Sequence, residues 1–253
     1  MLQCSMLFAD AHIHITDLKR WQPFTYGADM SPVCSCAHSK NEWNELLRVS
    51  RLYPDFVVCA AGIHPQNPDE KLIDFLTEAL ERGEAAAIGE AGFDFFTPEY
   101  KARETEQELI WEVQLELAQR FQKPLVIHCR RALDRLFRDS KKLSRLCSVI
   151  FHSFPGSPME ALSFIKRGVN ARFSFGKPLL NGNKRALLCA AQLPLDMLLG
   201  ETDAPWQRLK NESATLPSDI QKVYEKVAEL RGLPIENLCA HLYANFKDSF
   251  GLH

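Results

Sequence analysis

Met6-Leu-Phe-Ala-Asp-Ala-His-Ile-His-Ile15 decides how the rest of the chain is read. A short apolar run ends in His12-Ile13-His14. Residues two apart on an extended strand face the same side, so both imidazoles point one way at the strand's end. Alone, the pair also fits an ordinary half-buried strand. Four later strand-like runs each close on a histidine or a carboxylate, and that repetition turns the reading toward a metal ion.

The 253 residues are 46% hydrophobic and 25% charged, ordinary for a globular chain with a large core. Lys and Arg number 30 against 32 Asp and Glu, a net charge of −2, so a nucleic-acid partner must be gripped locally rather than by a bulk basic field. The 8 cysteines, Cys4 among them, are irregularly spaced, and several sit in apolar runs where a free thiol packs as a small hydrophobe. Cys34-Ser35-Cys36 reads as core rather than as a metal or redox pair. No leader-like start and no bilayer-length apolar run is seen. The expectation is a reduced, cytoplasmic enzyme with no membrane association and no obligate protein partner.

Along the chain, strand-like runs alternate with helical ones. Residues 16–31 show no helical stripe and read as a loop. Strands are expected at 32–37, 56–61, 85–89, 124–127, 148–151, 170–174 and 196–200. Asn41 is expected to cap a first helix carrying Trp43, Leu46 and Leu47, and Asp69 a second that stops near Gly83. A long helix is expected over 101–121, with Leu109, Val113, Leu117 and Phe121 on its inner face. Further helices are expected at 132–138, 158–168, 184–191, 218–232 and 235–249. Eight strands with helical crossovers in about 250 residues imply a single α/β domain over 1–253, a (β/α)₈ TIM-type barrel. A doubly wound open sheet is the alternative.

In such a barrel the active site lies at the C-terminal strand ends. His12, His14, Glu90, His128, His152 and Asp203 each follow an apolar run at that position. Carboxylates buried there without a cation would carry a desolvation cost. Six ligands exceed a closed zinc site and suit two ions with a bridging carboxylate. Two divalent ions against two carboxylates leave a positive site that attracts an anion. Paired ions stabilise attacking and leaving oxygens in phosphoryl displacement, which favours phosphoester hydrolysis.

ADAHIHITD, AAGIHPQNP, IGEAGFDFF, LVIHCRRAL, VIFHSFPGS and LGETDAPW stand in the order and spacing of the TatD-type metal-dependent deoxyribonucleases, within the amidohydrolase-like barrels. The chain resembles that family over essentially its whole length. The resemblance implies one metal held by His12, His14, Glu90 and Asp203, and a second by Glu90, His128 and His152, with Glu90 bridging. It implies a DNase that cuts phosphodiester bonds, trimming 3′ ends, by a metal-activated water, with Asp203 and Glu90 catalytic and Asp203 as general base. Mg, Mn, Zn, Fe and Ni all fit such ligands. It also places His64 and Arg130, with Arg131 beside it, against the substrate phosphate, and Asp94 behind a ligand. Two departures stand out: residues after His14 are too irregular for the family's first helix, and H-C-F-x-G reads His152-Ser-Phe-Pro-Gly156. Gly156 lets a backbone amide approach phosphate or serves a turn. His38, His241 and His253 find no partner in this reading. Rival functions are an amidohydrolase-like enzyme for amides, lactones or small phosphoesters, and a non-catalytic binding barrel.

Overall fold

The computed structural model describes residues 6–27 and 29–252, which leaves Cys4 and His253 outside the described residues. Eight parallel strands, Asp10–Ile13, Val33–Ala37, Val57–Ala61, Ala87–Asp94, Leu125–Arg130, Val149–Phe151, Ala171–Phe175 and Leu198–Gly200, follow one another in space in chain order. A doubly wound sheet reverses its order midway, and this one never does. The ends meet: Asp203 N donates to His12 O at 2.9 Å and His14 N to Ala204 O at 2.9 Å. Asp10 adds a staple, accepting from Thr202 N (2.9 Å) and Thr202 Oγ1 (2.6 Å). The chain folds as a (β/α)₈ barrel.

The core has two shells. Small side chains such as Ala11, Cys36, Ala60, Ala87 and Val126 fill the barrel, floored by Phe246 and Phe250 of the last helix. Larger ones, including Ile13, Ile88, Ile127 and Phe173, pack between strands and helices. Strict alternation would place His12 opposite Ala11, outside the barrel. A bulge prevents this: Asp10 pairs with Val33 but Ile13 pairs with Ser35, so three residues span the space of two. The extra residue reverses the parity. His12 and His14 therefore turn inward after Ala11. The fourth strand repeats the device, since Ile88 pairs with Leu125 but Ala91 with Ile127. Glu90 turns inward there.

Several expected boundaries move. The fourth strand runs on to Asp94, so Glu90 lies within it rather than after it. The fifth likewise contains His128. Ser39, not Asn41, caps the first helix, Lys40–Leu52, by accepting from Glu42 N. Asp69 caps a 3₁₀ turn that leads into Ile73–Glu81. The long helix is two, Pro98–Ala102 and Glu104–Phe121. Its inner face is Gln107, Ile110, Trp111, Gln114, Leu115, Leu117 and Ala118; the expected Leu117 is buried, Val113 and Phe121 pack partly against the core, and Leu109 is exposed. Two glutamines can lie inward because each is paired: Gln107 with Asp94 N at 2.8 Å, Gln114 with Ile63 N at 2.9 Å. Asp196 and Met197 form a 3₁₀ turn before the last strand. Residues 16–31 are not all loop; Thr25–Tyr26 and Asp29–Met30 form a short antiparallel ribbon.

Among the described residues no helix is long and apolar enough to cross a membrane. The described cysteines are free thiols, all buried except Cys147.

Candidate metal centre

The C-terminal strand ends converge on a cavity of about 830 Å³. His12 and His14 (strand one), Glu90 (strand four), His128 (five), His152 (six) and Asp203 (after eight) are all buried there. His12 Nε2 and His14 Nε2 stand 3.1 Å apart. Glu90 Oε1 lies 3.4 Å from the first and 3.3 Å from the second. Asp203 Oδ1 lies 3.5 Å and 3.2 Å from the same two nitrogens. Donors bound to one cation at about 2.1 Å are separated by about 3.0–3.4 Å along octahedral or tetrahedral edges. His12, His14 and Glu90 fit that spacing as one triad, and His12 also groups with His152 and Asp203 in a second; all are the hard and borderline donors a divalent ion takes.

Glu90 presents its other oxygen to a second group. Oε2 lies 3.1 Å from His128 Nδ1, 3.6 Å from His152 Nε2 and 3.8 Å from His64 Nε2. His128 and His152 are each backed by a carboxylate on the far nitrogen. Asp94 Oδ2 is 3.1 Å from His128 Nε2, and Glu201 Oε2 is 2.9 Å from His152 Nδ1. Glu201 is fully buried, also takes the Ser174 hydroxyl, and leaves Oε1 without a partner among the described residues.

Electrostatics keep these groups in ligand form or one proton from it. Burial would raise Glu90, but the surrounding imidazoles, His12 and His64 first, hold it well below the ordinary carboxylate range. Burial likewise opposes ionisation of Asp203, yet His152 and His14 hold it low. Burial lowers His12 and drives His64 well down and His38 to about 3, so these rings are neutral. His14 and His152 go the other way: the facing carboxylates outweigh burial, lifting His14 well up and His152 to about 10.

Of the expected substrate contacts, His64 lines the cavity, and its Nδ1 accepts from Gln66 N at 3.1 Å. A neutral ring then carries its proton on Nε2, the atom beside Glu90. Arg130 and Arg131 reach the rim, with guanidinium carbons 3.8 Å and 4.6 Å from the Phe96 ring centre. Arg130 also lies 3.7 Å from Asp94. Gly156 serves packing, since a Cβ there would meet the Phe154 ring at 2.5 Å.

His38 corrects the sequence reading. It lines the cavity, and its Nε2 accepts from Glu90 N at 3.2 Å. It cradles the backbone of the central carboxylate. Nothing but a single histidine after the second strand, Val33–Ala37, signalled it. Glu201 was also missed, although it stands two residues before Asp203. His241 is exposed, as a histidine without partners would be.

A family model described as "TatD related DNase" matches residues 9–251. The chain is 33% identical to a "3'-5' ssDNA/RNA exonuclease TatD" of Edwardsiella piscicida, over 70% of this chain and 66% of that one. It is 30% identical to the "Uncharacterized metal-dependent hydrolase YjjV" of Escherichia coli K12, over 74% of this chain and 73% of that one. The crystal structure of that TatD homolog superposes with a TM-score of 0.83 at 24% identity, covering 97% of this chain and 98% of the other.

Proposed function

Because the chain belongs to the TatD-related DNase family of metal-dependent hydrolases, we propose that it cleaves phosphodiester bonds in single-stranded DNA, trimming from the 3′ end. The observation that carries this reading is the two-sidedness of Glu90, whose oxygens face separate donor groups. His12, His14, Glu90 and Asp203 would hold one divalent ion, and Glu90, His128 and His152 a second. When bound, the ions supply a water of lowered pKa and positive charge for the phosphoryl oxygens.

The chain's own groups do the rest. Asp203 turns Oδ1 to His14, while Oδ2 lies 4.0 Å from His152 Nε2. That second oxygen, held ionised, is the one placed to take a proton from the attacking water. His64 offers a neutral Nε2–H to a phosphate oxygen, and Arg130 a cation at the rim. The buried free thiols support a reducing, cytoplasmic setting. A panel of DNA, RNA, phosphomonoesters and cyclic amides tests the reading. Metal-dependent nucleotide release from DNA is expected, and hydrolysis of a cyclic amide alone would reject it.

Metal affinity should rise with pH. His14 and His152 keep their protons at neutral pH when no cation is present, because their pKa values are raised. Each proton must leave before its nitrogen can bind a cation. Affinity then grows about tenfold per pH unit for each proton released. Competing Zn²⁺ against a chelator at about pH 6 and about pH 7.5 reads the slope; a flat profile would count against both histidines as ligands.

Glu201→Gln should lower metal affinity and turnover by about 10–100-fold, the usual cost of losing a carboxylate behind a ligand histidine. The amide keeps the volume but cannot fix the charge and tautomer of His152. Equal metal content and rate in parent and variant would remove Glu201 from this role.

A further inference from the structure

We infer that Trp206 is a base-stacking platform for a nucleotide flanking the scissile phosphate, an inference that rests on the nucleic-acid reading above. Of the large apolar side chains exposed on the described surface, only Phe96 and Trp206 line the cavity, at 44% and 55% exposure. Phe96 is already covered by Arg130 and Arg131. No cation sits over Trp206 among the described residues, although Arg208 is exposed on the same rim.

Trp206 is held at two points. Its backbone N donates to Asp203 O at 2.7 Å, and its indole Nε1 to Asp17 Oδ2 at 3.1 Å. The indole has no second polar atom, so what remains exposed is carbon surface. A fixed aromatic ring facing a polar, cation-rimmed cavity is costly to leave bare. An aliphatic ligand would use the ring but not the cations, and a free phosphate the cations but not the ring. A single-stranded nucleic acid uses both. Stacking also supplies affinity that a net charge of −2 cannot supply through a bulk field. Asp17 lies in the 3₁₀ turn Ile15–Asp17, so the irregular stretch after the first strand acquires a purpose: it braces the ring from the adjoining strand end.

The test uses the metal-loaded enzyme and two single-stranded oligonucleotides. One is unmodified; the other carries tetrahydrofuran spacers in place of its two 3′-terminal nucleosides, which keep the phosphates and remove the bases. The readout is the ratio of kcat/KM between them. Trp206→Ala should lower the preference for the base-bearing strand by about tenfold, and Trp206→Phe should restore most of it, in line with base–aromatic stacking. A ratio moved by less than about twofold in Trp206→Ala overturns the inference while leaving the nuclease reading intact. If neither strand is cut by enzyme that hydrolyses another member of the panel, the nuclease reading falls and takes this inference with it.

Discussion

Glu90→Gln is expected to reduce metal-dependent phosphodiester hydrolysis by about 10³-fold or more. Losing the charge stabilisation that bound ions give a transition state is worth several kcal/mol, and each 1.36 kcal/mol is about tenfold in rate. The change is isosteric, so its effect is electronic. Glu90 Oε1 serves His12 and His14, while Oε2 serves His128 and His152. A glutamine has one neutral oxygen and one N–H₂ group. Whichever way it turns, one donor group meets hydrogens where a cation should sit. Both ions should weaken together, so metal content per chain falls with the rate. Steady-state kinetics and elemental analysis of the same preparation check this. A variant with full metal content and a rate within about tenfold of the parent would mean that Glu90 is not the bridge.

The second large effect is on the scaffold. Gly92 sits at φ +137°, and a Cβ built there would lie 2.1 Å from His128 O. The contact is with backbone of the strand that carries a proposed ligand, so no rotamer change relieves it. A strained φ costs about 1–3 kcal/mol, and forced overpacking about 1–3 kcal/mol more. At about 2–4 °C per kcal/mol for a chain of this size, Gly92→Ala should melt about 10 °C lower. It should also push His128 away from Glu90 and weaken the second donor group in particular. Thermal melts with and without added Zn²⁺ measure both. A Tm within about 2 °C of the parent would show that the fourth and fifth strands yield easily here.

These predictions turn on features the sequence displays unevenly. The barrel was legible because eight apolar runs alternate with capped, amphipathic segments at regular spacing. The convergent His, Glu and Asp positions were legible because each directly follows such a run. Neither bulge was. Alternation within the first strand puts His12 and Ala11 on opposite faces, and only pairing with the second strand reveals the extra residue. The same holds for Glu90 and Ala87 across the bulge in the fourth strand. The inner face of Glu104–Phe121 was only partly legible, with Leu117 placed rightly and Leu109 wrongly, for a different reason. A hydrophobic stripe is sought among apolar residues, and here Gln107 and Gln114 point inward because distant backbone groups satisfy their amides. His38 and Glu201 escaped because each gains meaning only from a partner more than forty residues away, Glu90 and His152 respectively. Asp17 and Trp206, 189 residues apart, are the extreme case.

The central claim is that one buried carboxylate divides two metal positions at the barrel mouth. Anomalous scattering from a Mn²⁺-loaded crystal addresses it without reference to any substrate. The account predicts two peaks flanking Glu90, one among His12, His14 and Asp203, the other beside His128 and His152. A single peak, or peaks away from Glu90, would contradict it.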